Sequence, residues 1–360
     1  MKICHILFSL KSGGTENIVV DIINEQSNIH SLSLIIIDDI IDTSLQSRIS
    51  DSVNVIYISR KKSYILQLFA IFKLWVILFF INPKVIHCHN IKCGQIIPFW
   101  KKISYLTLHS NRIPFISSSG ELIFKSPDRK SLIRYKKIFV VSETVGKTIQ
   151  KFSNLESVLI YNGVKLENFK PILSIRMDYK QIRLVQIGRL VHSVKGQHLL
   201  IQAVDLIRKR HSDMNIILDF IGDGPSINYL KVLVEKSGLQ DIINFKLLKS
   251  RKWIECHLND YDILIQPSIF EGFGLTVVEA LGIGMPALVS KIDGPLEIIK
   301  DNPLGFQFEK GNVADLADKI VLIINNLRLG NIDSIRSYGR DLCVQRFSIR
   351  TTVENYLSNY

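Results

Sequence analysis

The sequence has few cysteines and none in pairs. Its five, Cys4, Cys88, Cys93, Cys256 and Cys343, are scattered and lack the C-x-x-C spacing of a zinc site or redox dithiol, which excludes a disulfide scaffold and fits a reduced, cytosolic protein. Low-complexity tracts and internal repeats are missing, so a disordered chain is not implied. The opening, "MKICHILFSLKSGG", lacks both a long apolar core and a small-residue cleavage site, and reads as a first strand rather than a secretion signal. Complete nucleotide fingerprints are absent as well. "GKT" at Gly146 to Thr148 ends like a P-loop but has Val141 where that loop needs glycine. "GDG" at Gly222 to Gly224 starts like a dinucleotide fingerprint but carries Ile227 at the third glycine position, which disfavours hydride transfer.

Acidic residues are nearly missing from one region. Between Ile58 and Lys137 fifteen Lys and Arg face two acids, Glu121 and Asp128, a local charge of +13 in a chain whose total is +12. So localised a field suits an anionic membrane surface, a phosphorylated substrate or nucleic acid, or is a merely soluble basic face. Nucleic acid is the weakest of these, because no helix-turn-helix, zinc-finger spacing or RNP-type aromatic motif accompanies the charge.

What is present is a globular composition, 47% hydrophobic and 22% charged, over 360 residues, which is the size of two domains. Apolar strand-like runs alternate with helix-length segments: "KICHILF", "LSLIIID", "VNVIYI", "KVIHCH", "SYLTLH", "KIFVVS" and "SVLIYNG", then a restart with "IRLVQIG", "NIILDFIGDG", "INFKLL", "DILIQPS", "MPALVS" and "LGFQF". Such βαβ series imply an α/β fold of two Rossmann-like, doubly wound parallel sheets joined by a linker near residues 163 to 180. Ligands of such folds bind beyond the carboxyl ends of strands, so two facing units would enclose a cleft.

The segment Tyr64 to Phe80 is apolar, but Lys73 lies in its middle, and a charge there costs several kcal/mol in a bilayer centre. It is expected not to span. On a helical wheel Ser63, Gln67, Ala70 and Lys73 share a narrow face, leaving an apolar arc wider than one sheet contact needs. The helix is either a deeply buried crossover or one whose surplus arc meets a lipid interface beside Arg60, Lys61 and Lys62.

Candidate chemistry clusters after strands. "QIGRLVHSVKGQHLL" offers Gly188 at a turn, then Arg189 and Lys195, a planar fork and a mobile point charge suited to a diphosphate, or two solvated cations. "LIQPSIFEGFGLTVVEALGIGMP" reads as strand, glycine turn and helix, with the amides of Gly272, Phe273, Gly274 and Leu275 at a helix N-terminus able to receive anionic oxygens. Glu279, one turn into that helix, could accept hydrogen bonds from ribose hydroxyls, and Glu271 from a second polyol. The plainer readings are a dipole partner for Glu271 and an exposed helix face for Glu279. His87 and His89 alternate with Cys88 on a strand without further ligands nearby, so no metal site is expected. His109 ends a strand before a polar stretch and is expected to face a cleft.

These residues also carry a resemblance. The E-x7-E pair after "PSIF", with "GR" and "KGQ" upstream, resembles the retaining glycosyltransferases of family 4, formerly group 1, which have the GT-B fold. "SLKSGGTENIV" is similar to that family's N-terminal glycine loop, "KVIHCHN" and "LTLHS" to its strand-end histidines, "FVVSE" and "YNGVKLENFKP" to its domain-closing segments, and "RFSIRTTVENYLSNY" to its final helix, which returns to the first domain. The resemblance implies an acceptor domain over residues 1–168 joined by residues 345–360, and a donor domain over residues 176–344. It implies that Arg189 and Lys195 neutralise the donor diphosphate and that Glu279 holds the ribose. Glu271 and the amides after it would hold the transferred sugar and β-phosphate. Gly14 would approach the diphosphate, and His109 would lie beside the transferred sugar. Lys165 stands where the family has an acid after "NGV", and "INFKLLKSRKW" lacks its usual glycine.

The expected function is therefore retaining transfer from a nucleoside diphosphate sugar to a saccharide, without a metal or other cofactor. A polyprenyl-diphosphate-linked acceptor at the anionic inner face of a bacterial membrane, in O-antigen, capsule or lipopolysaccharide synthesis, would satisfy both the basic region and the apolar helix. The alternatives are a non-hydrolysing sugar-nucleotide epimerase and a noncatalytic sugar-nucleotide-binding protein.

Overall fold

The structure is a computed structural model that describes residues 1–11, 13–60, 64–98, 104–109, 115–116, 122–123, 130–172 and 179–360. Of the basic region, Lys61, Lys62, Lys101, Lys102, Arg112, Lys125 and Arg129 lie outside the described residues, as do Ser63 and positions 173–178 of the expected linker. The chain divides into two compact units, residues 1–164 with 349–360, and residues 165–348.

In the first unit strands β1 (Lys2–Leu7), β2 (Ser31–Asp38), β3 (Val53–Arg60), β4 (Val85–Cys88) and β5 (Ser104–Leu108) precede a short antiparallel pair, β6 (Phe115–Ile116) and β7 (Leu122–Ile123), and then β8 (Lys137–Val140) and β9 (Val158–Leu159). Seven of them form one parallel sheet in the order β3-β2-β1-β4-β5-β8-β9. The near-continuous apolar runs follow from this architecture: parallel strands covered on both faces bury successive side chains, as β1 and β2 do. The β6–β7 pair was not anticipated.

The second unit repeats the plan with β10 (Ile182–Ile187), β11 (Ile216–Ile221), β12 (Ile243–Phe245), β13 (Ile263–Gln266), β14 (Ala287–Ser290) and β15 (Gly305–Phe308), all parallel in the order β12-β11-β10-β13-β14-β15. In each sheet the strand order reverses at its first strand, between β1 and β4 and between β10 and β13. Loops leaving adjacent strands diverge there, which opens a crevice at their carboxyl ends.

Within the first unit the two residues that border the division are joined, the Ile349 amide donating to the Val164 carbonyl at 3.0 Å. The division therefore falls earlier than the expected residue 168 and later than the expected residue 345. Leu166 belongs with the second unit because its side chain lies against Gly282, where a Cβ would come 2.3 Å from its Cδ2.

The helix Tyr64–Ile81 packs on the first sheet. Ala70, Leu74 and Leu78 are in the core, and the Lys73 ammonium donates to the carbonyls of Tyr57 (3.0 Å) and Ile58 (3.4 Å) on edge strand β3. An edge strand has unpaired carbonyls, and a lysine that caps them can turn inward. The outward face is left with Leu68, Phe69, Phe72, Val76, Phe79 and Phe80, each between 36% and 78% exposed. Among the described residues no helix is long and apolar enough to cross a membrane.

Candidate functional site

Beyond the ends of β10 and β13 lie Arg189, Lys195 and Glu271. Gly188, at φ +154°, follows β10 and lets the chain turn sharply into Arg189, which is exposed. A one-turn helix, His192–Lys195, follows and ends at Gly196. That glycine has φ +68°, and a Cβ there would sit 1.8 Å from the Pro267 carbonyl oxygen beyond β13. Only hydrogen fits, so the turn that carries Lys195 is pressed against the other strand end. The Ile269 and Phe270 amides donate to the Val194 carbonyl at 2.8 and 3.2 Å and close the same contact.

Docked this way, the Lys195 ammonium forms an ion pair with Glu271. Gln266, the last residue of β13, also donates to that carboxylate from its side-chain amide (2.7 Å), and its carboxamide oxygen Oε1 accepts from Thr276 Oγ1 (3.1 Å) in the helix Leu275–Gly282. Gln186 near the end of β10 donates to the Lys195 carbonyl at 2.8 Å. The pair is partly enclosed, with the lysine side chain 25% and the glutamate side chain 17% exposed, so it is screened less than a surface pair yet stays reachable.

The glycine turn before the helix is packed from behind. A Cβ on Gly294 would lie 3.0 Å from the Gly272 carbonyl and 3.1 Å from the Phe273 nitrogen, so backbone stacks on backbone. Phe273 turns its ring into the core, edge-on to Phe347 at 5.9 Å between centroids, leaving its main chain at the turn. Gly274 at φ +117° then starts the helix, whose opening amides have no intrahelical acceptor and carry the positive end of its dipole. The "GDG" loop has a structural use here. A Cβ on Gly222 would come 2.1 Å from the Gly188 carbonyl oxygen, and one on Gly224 would come 2.5 Å from that of Leu190, so this loop supports the Arg189 turn.

Glu279 is not on an exposed face. It is 2% exposed, and its carboxylate is paired with Arg251. Arg251 also lies 3.5 Å from Glu255 and over the ring of Phe169 at 4.9 Å. Sequence reasoning missed it. The available signal was local conflict: Arg251 and Lys252 open the helix Arg251–His257, where a cation opposes the dipole and needs a compensating partner.

Gly14 and His109 belong to the first unit. Gly14 is the exposed first residue of the helix Gly14–Ser27. His109 follows β5, and it joins a row of histidines. The parallel register sets His5 beside His87, and the two-residue period puts His89 on the same face. His109 Nε2 lies 3.1 Å from His89 Nδ1, and His89 Nε2 lies 2.9 Å from His5 Nδ1. Burial pushes the pKa of His5 and of His109 down to about 4, partly offset by hydrogen bonds to Gln26 and Asn162 respectively. His87 and His89 are held well below the usual range, by burial first and by neighbouring histidines second. The ring nitrogens of His5, His87 and His89 lie within 4.8 Å of one another, a spacing that could hold a metal ion. Each of the six nitrogens is engaged in a hydrogen bond instead.

Residues 172–337 match the family model described as glycosyl transferases group 1. The chain is 31% identical to an uncharacterized glycosyltransferase of Methanocaldococcus jannaschii over 62% of this chain and 59% of that protein. It is 26% identical to a poly(ribitol-phosphate) alpha-N-acetylglucosaminyltransferase of Staphylococcus aureus over 71% of this chain and 50% of that one. The chain thus spans between 50% and 59% of the length of these relatives. Among solved structures, Anabaena HepE in complex with UDP and glucose superposes with a TM-score of 0.78 at 19% identity, covering 100% of this chain and 99% of that one. That likeness identifies the fold as GT-B, two parallel-sheet Rossmann-like units.

The histidine row has a consequence for pH. Its members bind protons less readily folded than unfolded, so the unfolded chain takes up more protons between pH 6.5 and about 4. Their contribution to stability is complete above pH 6.5 and is lost as pH falls toward 4. The melting temperature is expected to be level above pH 6.5 and to drop below it, before most carboxylates titrate. A flat profile down to pH 4 would contradict the burial of these rings as neutral groups.

Proposed function

We propose that the chain, whose residues 172–337 match the model of glycosyl transferases group 1, moves a sugar from a nucleoside diphosphate sugar to a hydroxyl of a saccharide acceptor, with retention of anomeric configuration. The observation that carries this reading is the meeting of Lys195 and Glu271, from two strand ends, at the mouth of the helix Leu275–Gly282. The UDP and glucose in Anabaena HepE support a nucleotide-sugar ligand for this fold.

Arg189 and Lys195 are the groups to neutralise the diphosphate, with Gly188 giving the backbone room to approach. The amides from Gly272 to Leu275 receive the β-phosphate, Glu271 holds hydroxyls of the transferred sugar, and Glu279 binds the ribose while Arg251 compensates its buried charge. Gly14 and His109 act from the first unit. As the bond from the anomeric carbon to the β-phosphate oxygen breaks, charge grows on that phosphate, where fixed cations and helix amides stabilise it without a metal. The acceptor oxygen forms the new glycosidic bond on the same face, and its proton passes to the leaving phosphate. A histidine whose pKa is about 4 is a weak base at neutral pH, so His109 is given no proton to take.

The name of the Staphylococcus aureus relative supports a polymeric or polymer-precursor acceptor. We extend this to a lipid-linked saccharide of bacterial surface polysaccharide synthesis (O-antigen, capsule or lipopolysaccharide) at an anionic membrane. Six large apolar side chains on one arc of the helix Tyr64–Ile81 face outward, in the same segment that carries the +13 charge. Apolar burial in the interface plus attraction to anionic headgroups is how peripheral helices bind bilayers.

Two measurements test this. A thermal-shift screen of UDP-, GDP-, ADP- and dTDP-sugars should find one nucleotide family that stabilises the wild type and fails on Lys195→Ala, and NMR of the product should show the donor's anomeric configuration. No shift with any donor, or an inverted product, would contradict the reading. In flotation assays the protein should rise with anionic vesicles and much less with neutral ones. Phe72→Ser with Phe79→Ser should lower that fraction several-fold, and equal flotation of both proteins would remove the membrane role.

A further inference from the structure

A carboxylate as enclosed as that of Glu279, whose side chain is 3% exposed, takes its direction from the protein rather than from water. The group that faces it is Arg251, whose Nη1 pairs with Oε1. The same guanidinium serves a second enclosed carboxylate. Its Nε lies 3.5 Å from Oε1 of Glu255, whose side chain is 8% exposed. Lys252 approaches the other oxygen of Glu255 only to 3.9 Å. A planar fork with donors on two edges can span two carboxylates, whereas an ammonium is a single point of charge. Two like charges in so confined a place need such a bridge, because removing the cation would leave them buried without compensation.

Arg251 is itself held from the far side. Its guanidinium carbon stands 4.9 Å from the centre of the Phe169 ring, a distance at which the negative face of the ring attracts a cation. Asn168 donates to Glu255 Oε1 at 3.2 Å, the same oxygen that faces Arg251 Nε. Both residues belong to the stretch that opens the second unit, the short helical turn Leu166–Asn168 followed by Phe169. That stretch is fastened to the end of the helix Leu275–Gly282 that carries Glu279. Leu166 fills the space beside Gly282, and the Ile172 amide donates to the Ile283 carbonyl at 2.8 Å, just past the helix. The contacts therefore close on themselves: segment to helix through Leu166 and Ile172, and segment to carboxylate through Arg251.

We propose that Arg251 is a positioning residue: seated on Phe169 and shared with Glu255, it aims the Glu279 carboxylate at the vicinal hydroxyls of a ribose and so sets the preference for a ribonucleotide over its 2′-deoxy form. That the ligand is a nucleotide rests on the transferase reading; the bridge from Glu255 through Arg251 to Glu279 does not. A carboxylate whose direction is fixed before the ligand arrives has little freedom left to lose on binding, so its hydrogen bonds from both hydroxyls count toward affinity. Once Arg251 is removed the carboxylate can turn, and the extra hydroxyl of the ribose no longer finds an acceptor in place. Phe169 is buried, so any effect it has on a nucleotide has to pass through Arg251.

The test is calorimetric titration of UDP, GDP and ADP, each beside its 2′-deoxy analogue, into the full chain and three variants. Wild type should bind one ribonucleotide about tenfold more tightly than the deoxy form, as expected for one hydrogen bond to a charged group. Arg251→Met should bring the two within about twofold, chiefly by weakening the ribonucleotide. Arg251→Lys, which keeps the charge without the fork, should fall between. Phe169→Leu should move in the same direction by a smaller step although it leaves every charge in place. A merely structural part would instead weaken both forms of the nucleotide alike. If Arg251→Met does not fold, Arg251→Lys and Phe169→Leu carry the test. A ribose preference that keeps its wild-type size in the folded variants, or an equal weakening of both forms, would overturn the proposal. Nucleotides bound by wild type without any ribose preference would overturn it and leave the transferase reading intact. No binding of any of the probes would remove the transferase reading and the ribose with it.

Discussion

The ion pair between Lys195 and Glu271 is the constraint on which the second unit's site depends. Neither residue has a reason to be where it is without the other strand end: Lys195 arrives on a turn leaving β10, and Glu271 on the loop leaving β13. Those two strands are neighbours only because the sheet reverses its order between them. In the ligand-free protein the pair neutralises a cation that would otherwise face an anion-receptive turn alone. Under the proposed function, a ligand that brings its own negative charge would take over the lysine and release the carboxylate to accept from hydroxyls, so that the same two side chains would be each other's partner before binding and separate recognition groups after it.

Holding the pair together takes unusual backbone proximity. Gly196 against Pro267, Gly222 against Gly188 and Gly294 against Gly272 are main-chain contacts that no Cβ could enter. These glycines bring strand-end loops of the second unit against one another, and they explain why the region reads as glycine-rich without matching any complete nucleotide fingerprint. The first unit reaches rigidity differently. It buries a polar series in which His5, His87 and His89 each have both nitrogens engaged, and the neutrality of that series is enforced by desolvation.

Much of the fold was legible because buried parallel strands write themselves as short apolar runs, and every run quoted from the sequence became a strand of one of the two large sheets. Arg189, Lys195 and Glu271 were expected on loops that follow strands, and the structure places them beyond β10 and β13, with Lys195 and Glu271 paired. What local reading missed depends on distant partners. Arg251 looks like one more surface cation until Glu279 is folded beside it, and the Gln26–Tyr360 hydrogen bond unites residues from opposite ends of the chain. For the helix Tyr64–Ile81 the sequence showed a narrow polar face but not its destination: Lys73 turns to the open carbonyls of an edge strand, which no helical wheel displays.

The most direct test of the exchange at Lys195 is calorimetric titration of the free nucleoside diphosphate into wild type and Glu271→Gln. If Lys195 is shared between Glu271 and the diphosphate, removing the competing carboxylate should tighten binding of the sugar-free ligand by roughly tenfold at low salt, an advantage that shrinks as salt rises. Equal or weaker binding by Glu271→Gln, or no binding by either protein, would contradict it.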